Sequence, residues 1–185
     1  ESYVRKVWQH SATCAVTAGI IYQKTDFSKD ESLEEPLFIS GIIHDIGKIV
    51  LWKFFPEIYL AFILNPEVGE NPNVDDEEVH LGTTHADVGR ILADHWGLPE
   101  MFRDVITFHH RPKDRGDSDL VILTHIANSI SRWVRRTGDD EEIPKLDQEI
   151  LDSIGYTEDT FRDLTNEVES DIIEKSDIIT RMILG

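Results

Sequence analysis

Apolar residues recur at helical spacing along almost the whole chain, and nowhere with the strict alternation of a half-buried strand. The first segment runs from about Tyr3 to Lys24 and puts Val7, Cys14, Ala18 and Ile21 on the same face as His10. A polar stretch from Asp26 to Glu35 reads as a loop, with Pro36 as a first helical residue. The next segment, Leu37 to Phe54, is apolar nearly all round, as expected of a central buried helix. After Pro56 a short helix, Glu57 to Leu64, leads into a surface loop rich in Pro, Asn, Gly and acids, Asn65 to Asp76.

The pattern then predicts one helix from about Glu77 to Trp96, ended by Gly97, and another opened by Pro99 and running towards His110. A turn-rich loop, Arg111 to Ser118, precedes an apolar helix from Asp119 to Arg136 that stops at Gly138. Two more follow: Leu146 to Ile154, and one that starts at Thr157 as N-cap with Glu158 and Asp159 in its first turn. No internal repeat and no linker interrupts this series. The expectation is an all-α fold in one domain spanning residues 1–185.

Composition narrows the function classes. A chain of 185 residues suffices for a domain with a sizeable core. No apolar run reaches the roughly 18 residues of a membrane span, and the N-terminus lacks the charged and apolar regions of a secretory signal. The single Cys14 rules out an internal disulfide and fits a reducing compartment, so a cytoplasmic location is expected. The net charge of −18 argues against a nucleic-acid duplex as partner, which needs a basic face. It would also repel an anionic substrate at long range, unless bound divalent ions reversed the sign locally. The chain starts without Met and inside a helical pattern, which suggests that more helices lie upstream.

The chemistry-bearing residues read in order His10, His44-Asp45, His85 and His109-His110. Imidazole and carboxylate ligands in this mixture suit Zn, Mn, Fe or Ni, all able to activate water. The His-Asp pair lies in the apolar stretch Gly41-Ile-Ile-His-Asp-Ile-Gly-Lys48, where two polar side chains are costly without partners. Each residue also has an ordinary reading. His10 can be a satisfied core histidine, His85 an exposed helical one, and His109-His110 a pair favoured by a helix C-terminus. His80, His95 and His125 have no comparable company. No Gly-rich phosphate loop and no activated serine or cysteine stands out, which leaves water as the attractive nucleophile.

The ordered set resembles the HD superfamily of metal-dependent phosphohydrolases. Trp8-Gln-His-Ser11, the Gly41–Lys48 stretch, Thr84-His-Ala-Asp-Val-Gly89, Trp96-Gly-Leu-Pro99 and Phe108-His-His-Arg-Pro112 look more narrowly like its HDOD branch, an output domain of bacterial signalling proteins. The resemblance covers about residues 3–136, with C-terminal helices at about 146–184 beyond it. It implies one ion held by His10, His44, Asp45 and the residue at Asn128, and a second held by His85, His109 and His110, with Asp45 bridging. Lys48 would contact phosphate, and Asp45 and Lys48 would be the catalytic pair. A family member of this kind would act on a phosphoester such as a nucleotide, through water activated by one or two divalent ions.

Two departures from that pattern bear on function. Asn128 offers an amide oxygen where the catalytic relatives have a carboxylate, a weaker ligand that would weaken the first ion's site. The His-His pair is followed by Arg111-Pro-Lys-Asp-Arg-Gly116, without the Gly-Tyr-Pro of the cyclic dinucleotide phosphodiesterases. The competing expectation is therefore a signalling or scaffold module that binds a partner protein or a nucleotide without turnover.

Overall fold

The computed structural model describes residues 2–29, 31–68, 72–116, 118–135 and 145–184. Every regular element among them is helical. The chain begins with α1 (Ser2–Lys24) and, after two short 3-10 turns, continues through α2 (Glu34–Ile43), α3 (Ile46–Phe54) and α4 (Pro56–Ile63). It then forms α5 (Val74–Leu81), α6 (His85–His95), α7 (Glu100–Phe108), α8 (Asp119–Val134), α9 (Gln148–Ser153) and α10 (Glu158–Leu184).

The main core gathers around α8, whose Leu120, Val121, Leu123, Ile126, Ala127 and Ile130 are buried on the inner side. Helices α1, α2, α7 and α10 pack against α8. The expected stripe on α1 holds, because Val7, Cys14, Ala18 and Ile21 are all buried. A smaller apolar cluster of Leu51, Tyr59, Phe62 and Val68 lies under α3 and α4. Helix α3 packs on α6, and α6 on α7. The site lies where these two groups of helices meet.

Several boundaries differ from the periodicity. Leu37 to Phe54 is not one helix: it divides into α2 and α3 at His44 and Asp45, so that pair sits at a junction rather than along a helix. Helix α2 also begins ahead of Pro36, with Glu34 and Glu35 in its first turn, where acids favour a helix N-terminus. The most deeply buried helix is α8, not the stretch ending at Phe54, which is exposed.

Likewise Glu77 to Trp96 is two helices. Gly82 takes the left-handed conformation (φ 69°) and closes α5, and a capping box formed by Thr84 and Asp87 opens α6. A second box, Asn73 with Asp76, starts α5 within the expected loop. Thr157 opens α10 as expected, through reciprocal hydrogen bonds with Thr160. The stop expected at Gly138, and Arg136 before it, lie outside the described residues.

A candidate metal centre at the His44-Asp45 junction

Two glycines bracket the junction and let α1 and α6 converge on it. A Cβ on Gly41 would overlap the backbone of Ala15, so its absence allows α2 to lie directly on α1, the helix that carries His10. A Cβ on Gly47 would overlap the carbonyl oxygen of His85 and stand 2.8 Å from the backbone nitrogen of Gly89. Gly47 and Gly89 thus bring the start of α3 against the start of α6, where His85 is the first residue.

Asp45 occupies the N-cap position of α3, yet its carboxylate makes no cap hydrogen bond. It turns inward instead, with each oxygen facing a different group. Oδ2 receives Lys48 Nζ at 2.7 Å and stands 3.5 Å from His44 Nε2 and 3.6 Å from His10 Nε2. Oδ1 stands 3.1 Å from His85 Nε2 and 3.6 Å from His109 Nε2. His10 Nε2 is 2.9 Å from Asn128 Oδ1 and 3.3 Å from His44 Nε2, while His85 Nε2 is 3.4 Å from His109 Nε2. The His110 ring completes the second group, with its centroid 4.2 Å from that of His109 and 5.0 Å from that of His85. All eight residues singled out from the sequence, Asn128 and Lys48 included, are brought together.

The tautomers follow from the outer partners. His44 Nδ1 donates to the Gly41 carbonyl at 2.9 Å, and His109 Nδ1 to the carbonyls of Val105 and Ile106 at 3.0 and 3.1 Å. His85 Nδ1 donates to Glu77 Oε2 at 2.6 Å. Each acceptor lacks a proton, so in the neutral rings Nδ1 carries the hydrogen and Nε2 presents a lone pair to the centre. Lone pairs and a carboxylate then face one another in a largely buried volume, open past the partly exposed His10 and Lys48. His44, Asp45, His85 and His109 are each at most 1% exposed. No hydrogen bond of good direction among the described residues reaches Asp45 Oδ1 or His110 Nε2, and both atoms are buried.

This donor set fits a metal ion. Bonds of about 2.0–2.2 Å at tetrahedral or octahedral angles place neighbouring ligand atoms roughly 2.9–3.6 Å apart, the range of the Nε2 and Oδ separations above. Two groups have ligand atoms close enough to share an ion: Asp45 with His85, His109 and His110, and Asp45 with His10 and His44.

The electrostatics agree. Burial would raise the Asp45 carboxyl, but Lys48, His44 and the His109 and His85 rings outweigh it and hold the group well below the usual carboxylate range. Burial pushes His10 down to about 4 and His44 and His110 well below the ordinary imidazole value, so these rings are neutral, as ligands must be. His85 moves the other way. Burial and Lys48 lower it, and contacts with Asp45 and Glu77 overcome both.

Two residues of the centre escaped the sequence reading. Glu77 is 2% exposed and also accepts the backbone N–H of His85 at 2.7 Å. Its only signal was an acid within an otherwise apolar face of α5. His125 donates from Nδ1 to the His109 carbonyl at 2.7 Å and so fixes the turn that holds His109 and His110. It lies one turn before Asn128 on α8, a spacing that could have drawn attention to it.

An all-helical protein with a buried histidine–aspartate centre between helices is thus the class that fold and site define. The family model of the HDOD domain matches residues 2–112, and the chain belongs to that family. An uncharacterized protein of Treponema pallidum (strain Nichols) is 28% identical over 119 residues, 63% of this chain and 23% of that protein. A crystal structure of an HDOD domain protein of unknown function from Geobacter sulfurreducens aligns over 98% of this chain and 63% of its own, with a TM-score of 0.71 at 21% identity. A candidate phosphohydrolase from Shewanella amazonensis SB2B covers 94% and 63% respectively, with a TM-score of 0.65 at 22% identity. The chain therefore spans under a quarter of the curated relative and about two thirds or less of the solved chains. No helix among the described residues is long and apolar enough to cross a membrane.

Proposed function

We propose that the Asp45 centre binds a divalent transition-metal ion and that the domain acts through it as a phosphohydrolase on a phosphoester such as a nucleotide, within a signalling protein. One observation carries this reading. Five imidazoles from four segments of the chain converge on the two oxygens of one buried carboxylate, and three of them have Nδ1 committed to outer acceptors, which directs Nε2 inward.

A bound ion would supply Lewis acidity, lowering the pKa of a water and polarising phosphoryl oxygen. The chain's own residues do the remainder. His85, His109 and His110 with Asp45 would form one ligand group, and His10, His44 and the weaker amide ligand Asn128 with Asp45 the other. Lys48, whose ammonium rests on Asp45, would offset negative charge that develops on a phosphoryl group bound beside it. Its positive charge, with Arg132 close enough to depress His10, gives a local field opposed to the net −18 of the chain.

The near-complete burial of His44, Asp45, His85 and His109 favours a second reading, in which the ion is structural and the domain binds a nucleotide or a partner protein without turnover. One series of measurements separates the two. Protein purified anaerobically without a metal-affinity column is analysed for Fe, Mn, Zn and Ni, and loaded protein is assayed on phosphodiesters. About one ion per chain, lost in His44→Ala/Asp45→Ala together with a lower melting temperature, supports the centre. Turnover abolished by Asp45→Ala supports hydrolysis, and metal without turnover the second reading. Metal content unchanged in the double variant, or absent from the natural chain even after loading, overturns the metal centre.

A further inference from the structure

We infer that Glu77 is a positioning residue for this centre, fixing the His85 ring so that Nε2 faces the shared carboxylate. The inference rests on the metal reading and deepens it.

A carboxylate this deeply buried is tolerated only when its oxygens are well supplied with hydrogen bonds. Glu77 Oε2 takes two, from the backbone N–H of His85 at 2.7 Å and from His85 Nδ1 at 2.6 Å. The first satisfies a free N–H at the start of α6. The second decides the tautomer, because a carboxylate can only accept. Glu77 Oε1 accepts from the Tyr59 hydroxyl at 3.3 Å, and that hydroxyl is 3.0 Å from the Tyr3 hydroxyl on α1. The carboxylate is thus held by α1, α4 and α6 together, on a helix whose own start is fixed by the Asn73 capping box. His44 and His109 rely on neutral carbonyls for the same purpose. His85 alone among these three rings has a charged acceptor, which strengthens the hydrogen bond and makes Nε2 the better donor to a cation. A carboxylate serving merely to cap α6 would need only the backbone contact.

The test uses the full chain stripped of metal and titrated with cobalt(II), followed by visible absorption and by chelator competition, for the natural protein, Glu77→Gln and Asp45→Ala. The Gln variant keeps the shape and removes the charge. It is expected to bind cobalt about 10- to 100-fold more weakly, with shifted absorption bands. In the metal-free variant, long-range proton–nitrogen NMR is expected to find His85 no longer confined to the Nδ1–H form. Cobalt affinity and bands equal to those of the natural chain, with Asp45→Ala still abolishing binding, overturn the role of Glu77 while the metal centre stands. A natural chain that binds no cobalt overturns both. If Glu77→Gln does not fold, Glu77→Asp takes its place. It withdraws the charge by about 1.5 Å and is expected to weaken binding in the same direction, an unchanged affinity again overturning the role.

Discussion

The close contact of α3 with α6 can be tested by adding one methyl group. In Gly47→Ala the new Cβ would overlap the His85 carbonyl oxygen and crowd the Gly89 nitrogen at 2.8 Å, so the atoms in the way are backbone and cannot rotate aside. The helices must separate by roughly 1 Å or more to restore ordinary contact distances. Overpacking of this kind costs about 1–3 kcal/mol, and the rigidity of both neighbours places the expectation near the upper end. For a chain of this size that lowers Tm by roughly 6–12 °C. The same movement carries His85 away from Asp45 Oδ1, now 3.1 Å from its Nε2, so metal affinity should fall with stability. Gly19→Ala is the internal control. Nothing lies within 4 Å of a Cβ there, and relief of a mid-helix glycine in α1 should raise stability by about 0.5–1 kcal/mol. Denaturant unfolding of both variants, with cobalt titration of the folded protein, gives the comparison. A Gly47→Ala protein as stable as the natural chain would refute the steric reasoning. One destabilised as expected, but with unchanged metal affinity, would refute the link from helix spacing to site.

Acid should destabilise the metal-free protein earlier than carboxylate titration alone would. His10 is lowered to about 4 by burial, with Lys48 and Arg132 adding and Asp45 and Asn128 opposing, so between pH 6.5 and 4 the unfolded chain binds a proton that the folded chain does not. Its contribution is complete above pH 6.5 and is lost as pH falls towards 4, at up to about 1.4 kcal/mol per pH unit. His44, His109 and His110 act in the same direction and His85 against them. Urea midpoints that stay level from roughly pH 7.5 to 5 would refute this. Asn128→Asp places a carboxylate where the amide oxygen stands 2.9 Å from His10, and is expected to raise the metal content towards two ions per chain. An unchanged count would mean that Asn128 is no ligand.

The helical fold was legible because apolar spacing alone specifies it, and the convergence of the histidines on Asp45 because their order along the chain resembles a known motif series. The breaks were harder. The junction at His44-Asp45 contains neither Gly nor Pro, and its setting is tertiary: Gly41 and Gly47, on either side, allow the chain to lie directly against α1 and α6. The break after Leu81 did carry local signals. Gly82 and the Thr84-x-x-Asp87 box are start and stop chemistry, overridden in the reading by apolar periodicity that runs through them. Glu77 was barely legible, since its place on the face of Val74 is a weak signal and an acid on a short acidic helix looks solvated until the fold buries it beside His85.

The two faces of Asp45 are not equivalent, and this argues for an order of filling. On the Oδ2 side Lys48 already supplies a positive charge at 2.7 Å, and Asn128 Oδ1 can accept from His10 Nε2 if that nitrogen carries the ring proton. That group therefore has a way to satisfy itself from within the chain. The Oδ1 side has only the His85 ring, which its contacts with Asp45 and Glu77 bias towards the protonated form. Glu77 and the Val105 and Ile106 carbonyls commit the Nδ1 protons of His85 and His109 outward, and His110 Nε2 and Asp45 Oδ1 remain buried without a well-directed partner. A cation placed among these four residues would replace lone-pair repulsion by coordination and would have no ammonium to displace. The first ion is thus expected between Asp45 Oδ1, His85, His109 and His110. At a metal concentration a hundredfold above Kd it would stabilise the fold by about 2.7 kcal/mol. His110→Ala should remove most of that gain, and His10→Ala little of it. The reverse ranking in metal-dependent melting would show that Lys48 yields its place more readily than its short contact suggests.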